Sequence, residues 1–123
     1  MNTKPVITIP VGTRVSELIA LLEERFISGA PVVDKEGKML GMVSKTDIVG
    51  QLFRAGTIQL SYAEDVMTPF VFKVTPHDPL ERLVDIMLAS RIHRIVVTLE
   101  DRPVGIVTTL DLLADYQRLL VRP

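Results

Sequence analysis

The 123-residue chain has no cysteine and no tryptophan, and aromatic residues make up only 5% of it. Without cysteine there can be no disulfide, no thiolate metal ligand and no cysteine nucleophile. Only two histidines occur, His77 and His93. A metal site needs roughly three or four suitable ligands, and no motif brings these two together, so no metal is expected. His77 reads as solvent-exposed, and His93 as a loop residue. No apolar run approaches the roughly 18 residues that cross a bilayer, so no membrane insertion is expected. The N-terminus lacks a basic region followed by an apolar stretch, so it does not read as a signal peptide. These absences fit a cytoplasmic protein. Fourteen basic residues face fifteen acidic ones, a net charge of −1. That balance leaves no global basic footprint for nucleic acid.

Aliphatic residues are plentiful. The apolar fraction is 47% and the mean hydropathy is +0.31, high for a small chain of one domain's length. The excess reads as a buried oligomer face, and a homodimer is expected. The outstanding feature is an internal repeat. Gly41-Met42-Val43-Ser44-Lys45-Thr46-Asp47 returns 64 residues later as Gly105-Ile106-Val107-Thr108-Thr109-Leu110-Asp111. Two copies are too few for a solenoid, but they suit two half-domains that close on one core.

Each copy follows one plan. Val15, Leu18, Ile19, Leu22 and Phe26 recur at helical spacing, which predicts a helix over residues 15–27. A buried strand at 31–33, an acidic turn at 34–38 and a returning strand at 39–43 form a hairpin. A helix from Ser44 to Arg54 follows, ended by Ala55-Gly56-Thr57. In the second copy a strand is expected at 71–74, a helix at 79–90, strands at 95–97 and 105–107, and a helix at 111–120. Here the hairpin turn is one residue shorter, so segments before it align at a shift of 65 and those after it at 64. Residues 3–9 echo residues 68–74 at a shift of 65. The boundaries are therefore repeat 1 at 3–56, a linker at 57–67 with a helical turn at 63–67, and repeat 2 at 68–120. The fold class is mixed α/β (α+β), two β-α-β-β-α repeats packed with pseudo-twofold symmetry.

Ser44-x-x-Asp47 and Thr108-x-x-Asp111 read first as helix caps, in which hydroxyl and acid exchange hydrogen bonds with the backbone. A helix start also presents free N–H groups that suit a phosphate, and a nearby carboxylate can accept from a ribose diol. Gly41 and Gly105 would let another backbone, or a flat ring, approach closely. Asp47 and Asp111 occupy equivalent, separate positions, so they do not read as a catalytic dyad. No Ser-His-Asp order, glycine-rich phosphate loop or carboxylate pair with a base stands out, and an enzyme is not expected. Arg91, Arg94 and Arg102 read as solvated surface. The apolar stripe of Leu112, Leu113, Tyr116, Leu119 and Leu120 reads as core or dimer packing.

The chain resembles tandem cystathionine-β-synthase (CBS) domains, the pair known as a Bateman module. The resemblance rests on Met67-Thr68-Pro69, Gly29-Ala30-Pro31-Val32-Val33-Asp34, Ile92-His93-Arg94-Ile95-Val96-Val97 and the two Gly-x-x-[Ser/Thr]-x-x-Asp segments. It implies a regulatory module that binds an adenine nucleotide or S-adenosylmethionine between repeats, with no required cofactor, and signals to an unidentified protein. It also implies two sites. In the first, Ser44, Thr46 and Asp47 face phosphate and ribose, while Thr75, Ile92 and His93 flank the base. In the second, Thr108 and Asp111 serve the sugar and Arg94, with His93, the phosphate; Ile27, Ser28 and Gly29 line the base beside Pro10. Gly29 stands where repeat 2 has Arg94, Leu110 where repeat 1 has Thr46, and Pro10 where repeat 2 has Thr75, so the sites are unequal. An arginine can hold phosphate bidentately, which favours the second. The alternative is a structural homodimerisation module with vestigial clefts.

Overall fold

The helical stripe marked by Val15, Leu18 and Leu22 is wholly buried. In the computed structural model it closes on the first of two compact units, Ile7–Val71; the other is Phe72–Pro123 together with Met1–Val6. The structure describes residues 6–55, 61–69 and 72–120, with the side chains of 55 and 115–120 left aside. Parts of several sequence expectations, at residues 3–5, 56–60 and 70–71, lie outside the described residues.

In the first unit, β1 (Ile9–Pro10), α1 (Val15–Glu24), β2 (Gly29–Val33), β3 (Met39–Ser44) and α2 (Lys45–Ala55) are followed by a short α3 (Ala63–Val66) and β4 (Thr68–Pro69). The sheet order is β1-β2-β3-β4. β1 runs parallel to β2, and β3 is antiparallel to both β2 and β4. All five residues of β2 are buried, as a short apolar run between helix and turn predicts. Ile9, Leu18, Leu22, Val32, Val43 and Ile48 anchor the core, with Ala63 of α3 packed among them.

The second unit holds α4 (Leu80–Ser90), β5 (Arg94–Leu99), β6 (Arg102–Thr108) and α5 (Thr109–Leu120). β5 and β6 form an antiparallel pair. Val74, Leu83, Met87, Ile95, Val97 and Val107 make its core. No helix among the described residues is long and apolar enough to cross a membrane.

The repeat survives in detail. Each hairpin carries one extra residue on its returning strand: Leu40 between partners of Val33 and Val32, and Val104 between partners of Thr98 and Val97. These bulges are 64 residues apart in sequence. The length change lies in the turn, as expected. In the first hairpin, Asp34 Oδ1 accepts from the N–H groups of Glu36 (2.8 Å) and Lys38 (2.9 Å). The second turns in two residues, Glu100 and Asp101, both at positive φ (53° and 64°), the backbone of a type I′ turn.

Three expectations need correction. The helix expected over 15–27 ends at Glu24, because Phe26 adopts φ 54° and the Ile27 N–H turns back to the Leu22 carbonyl (3.1 Å). The same stop recurs after α4, with Arg91 at φ 53° and the Ile92 N–H on the Met87 carbonyl (3.2 Å). Of the strand expected at 71–74, the described residues 72–74 keep a single parallel bridge, Val74 with Val97. Its counterpart β1 is extended by the Val11 N–H donating to the Val33 carbonyl (3.0 Å). The residue equivalent to Val11 is Pro76, which has no N–H to donate. Finally, Thr68 and Pro69, which open the second repeat in sequence, pair with β3 inside the first unit.

Phe26 and Arg91 hold a conformation that costs a side-chain-bearing residue about 1 kcal/mol or more. Phe26→Gly and Arg91→Gly are each expected to stabilise the chain by about 1 kcal/mol, less what glycine adds to unfolded-state freedom. Urea unfolding of the two variants beside the wild type checks this.

Candidate functional site

Both Ser/Thr-x-x-Asp segments close as reciprocal caps. Ser44 ends β3 and Asp47 lies in the first turn of α2. Asp47 Oδ2 accepts from the Ser44 N–H and hydroxyl, each at 3.0 Å, while the Asp47 N–H donates to Ser44 Oγ (3.2 Å). In the second unit, the Thr108 N–H donates to Asp111 Oδ2 (3.0 Å) and the Asp111 N–H to Thr108 Oγ1 (3.1 Å). Each pair is half-buried. The capping reading therefore holds in both copies, and each carboxylate is fixed at the start of a helix, where N–H groups favour negative charge.

The hairpins set each cap beside the turn that enters its own sheet. Gly29 pairs with Ser44, and the Lys45 N–H donates to the Ser28 carbonyl (2.9 Å). Arg94 pairs with Thr108, and the Thr109 N–H donates to the His93 carbonyl (2.9 Å). So the first unit groups half-buried Ile27, exposed Ser28 and buried Gly29 with Ser44, exposed Thr46 and Asp47. The second groups half-buried Ile92, exposed His93 and half-buried Arg94 with Thr108 and Asp111. The Arg94 side chain makes no hydrogen bond or ion pair among the described residues. His77 is exposed.

Pro10 and Thr75 stand apart from these groups. Pro10 pairs with Val33, at the other end of β2 from Gly29, about 13 Å along the strand. Thr75 follows the Val74–Val97 bridge, toward the far end of β5 from Arg94. Thr75 also has a structural task. Its N–H donates to Asp78 Oδ2 (2.8 Å), and its hydroxyl accepts from the His77 N–H (3.2 Å). Arg82 Nη1 completes this turn, bonding Asp78 Oδ2 (2.7 Å) and the Lys73 carbonyl (2.9 Å). The Thr75 N–H, and then the Arg82 charge, hold the Asp78 carboxyl below its ordinary 3.8, against some desolvation. A lowered folded-state value stabilises above the ordinary value, and that contribution is lost as pH falls through the lowered one. Asp78→Asn is therefore expected to lower the melting temperature at neutral pH and to flatten its fall below about pH 4. Melting curves from pH 2 to 7 measure both.

Two contacts of the first unit lie outside the sequence-based sites, one at Asp47 and one at the turn after β1. The Thr68 hydroxyl donates to Asp47 Oδ1 (3.3 Å). Glu64 receives the Gly12 N–H on both carboxylate oxygens (3.0 and 3.1 Å). Thr68 sits in the Met67-Thr68-Pro69 motif, so the motif was visible but its contact with Asp47 was not. Gly41 does admit a backbone: a Cβ there would lie 2.5 Å from the Thr68 carbonyl oxygen. Among the described residues no group of His, Asp and Glu could hold a metal ion.

The CBS domain family matches residues 1–54 and again 63–117. The chain belongs to that family. This CBS pair is 34% identical over 111 residues to the inosine-5′-monophosphate dehydrogenase of Methanocaldococcus jannaschii, covering 89% of this chain and 21% of that protein. It thus spans about a fifth of that enzyme's length. The solved CBS domain pair of protein MJ0100, in complex with 5′-methylthioadenosine and S-adenosyl-L-methionine, is 26% identical, with a TM-score of 0.81 over 95% of this chain and 92% of that one. The CBS domain of a CBS domain-containing membrane protein from Sphaerobacter thermophilus is 28% identical, with a TM-score of 0.78 over 91% and 82% of the two chains.

Proposed function

We propose that this CBS pair is a regulatory module that binds an adenosine-type ligand, an adenine nucleotide or S-adenosylmethionine, without turning it over. The observation that carries this reading is the duplicated, reciprocally bonded Ser44–Asp47 and Thr108–Asp111 pair. Each presents a carboxylate suited to a ribose diol at a helix start suited to a phosphate. The MJ0100 pair, bound to two adenosyl compounds, supports the ligand class. Arg94, paired with Thr108 and without a partner anion among the described residues, favours the half-site of the second unit for phosphate. The ligand shifts a partner or covalently joined protein by its differential affinity for two states. Isothermal calorimetry with AMP, ADP, ATP, NAD and S-adenosylmethionine tests this. Micromolar to millimolar binding of at least one is expected, and silence from all at millimolar concentration overturns the reading.

One observation favours a second reading, homodimerisation. On α2, Val49, Leu52 and Phe53 share a face and are exposed, Phe53 by 85%, and Leu110 and Leu113 are exposed on α5. Paired helices of a second copy would cover them. Light scattering that gives a dimer, with a melting temperature indifferent to every nucleotide, supports this reading alone, because a ligand that binds only the folded state must stabilise it.

A further inference from the structure

Residues 61–69 touch two distant parts of the first unit. At one end they hold the turn that follows β1. The Val15 N–H donates to the Ser61 carbonyl (2.9 Å), the Ala63 N–H donates to the Thr13 carbonyl (2.8 Å), and Arg14 bridges Tyr62. The Gly12 N–H, at a residue with φ 87°, is received by Glu64. In the middle, Ala63 and Val66 are buried in the core. At the other end, β4 pairs with β3 and Thr68 reaches Asp47. The whole segment is nine residues of strap between Pro10's turn and the Asp47 cap.

The contact with Asp47 is the weak link. Hydroxyl-to-carboxylate bonds of full strength run about 2.5–2.7 Å, and this one is 3.3 Å. The Gly12 clamp, by contrast, uses both oxygens of one carboxylate. A ribose hydroxyl that donates to Asp47 Oδ1 competes with Thr68 for the same oxygen.

We infer that residues 61–69 form a relay: Thr68 senses whether Asp47 is engaged, and α3 passes its displacement to the Gly12 turn. Thr68 is thus a positioning residue for Asp47, and Glu64 holds the output. The relay rests on the ligand reading for its physiological input, but its mechanical part stands without a ligand. It is a coupling free energy between two places in one unit, and coupling must be measured rather than read from adjacency.

The test is amide hydrogen exchange on the full chain by NMR. Thr68→Val keeps the shape and the β4 backbone but removes the hydroxyl. The relay predicts that the Gly12 and Ala63 amides exchange at least about threefold faster in this variant. Leu18 and Val32 stay as in the wild type, and Thr68→Ser restores the wild-type pattern. Acceleration confined to Met42 and Thr68, or equal across the unit, overturns it. A second arm titrates S-adenosylmethionine or AMP and follows the Gly12 amide shift, which should move in the wild type and stay still in Thr68→Val. If neither of these, nor ADP, ATP or NAD, binds the wild type, the ligand reading fails while the exchange data still decide the relay.

Discussion

Gly41→Ala is expected to destabilise the first unit by about 3 kcal/mol, the upper part of what forced overpacking costs. The added Cβ would meet the Thr68 carbonyl at 2.5 Å and the Met67 sulfur at 2.8 Å. The sulfur ends a flexible side chain and can swing away. The carbonyl belongs to β4, which is paired to β3 at this very residue, Gly41 opposite Pro69. Relief therefore means peeling β4 from the sheet, with Thr68 leaving Asp47. Urea unfolding gives the size of the loss. Gly50→Ala is the control: its Cβ would meet only the Arg54 guanidinium, at 3.3 Å, and alanine is the better helix former by about 1 kcal/mol. A Gly41 variant as stable as the Gly50 variant would show that β4 does not need the close approach.

The second large effect concerns ligand affinity. Asp111→Ala is expected to weaken adenosyl-ligand binding about 10- to 100-fold, the value of one or two hydrogen bonds to a charged group. Asp47→Ala should cost less. Both substitutions remove a helix cap, worth about 1 kcal/mol of stability each, so that part of the unfolding loss should be alike. Binding should not, because Arg94 lies across the hairpin from Thr108 whereas Gly29 lies across from Ser44. Calorimetry on both variants, with the ligand that binds most tightly, separates the cases. Equal losses would refute the inequality of the two half-sites.

Much of this architecture is legible in the sequence because its rules are short-range. The stripe of Val15, Leu18 and Leu22, the hairpins, and the caps at Ser44 and Thr108 each declare themselves within a few residues. The α1 end did not, because Phe26 occupies a left-handed position where glycine would have been the signal, whereas α4 ends at Ser90 as read. Residues 72–74 were overread as strand because Val74 looks like a strand residue, while the deciding fact is the missing N–H of Pro76 two residues on. The bonds from Thr68 to Asp47 and from Gly12 to Glu64 span 21 and 52 residues. No local pattern encodes such contacts. Gly41 hinted at a close neighbour but could not say which. Pro10 and Thr75 were placed beside the base by resemblance, and only strand register shows how far they lie from Gly29 along β2 and from Arg94 along β5.

The pairing of β4 with β3 offsets the repeated segment from the folded unit. A chain halted after Gly56 would keep every residue of the first copy yet lose the strip that seals β3, leaving open backbone groups that invite a foreign strand.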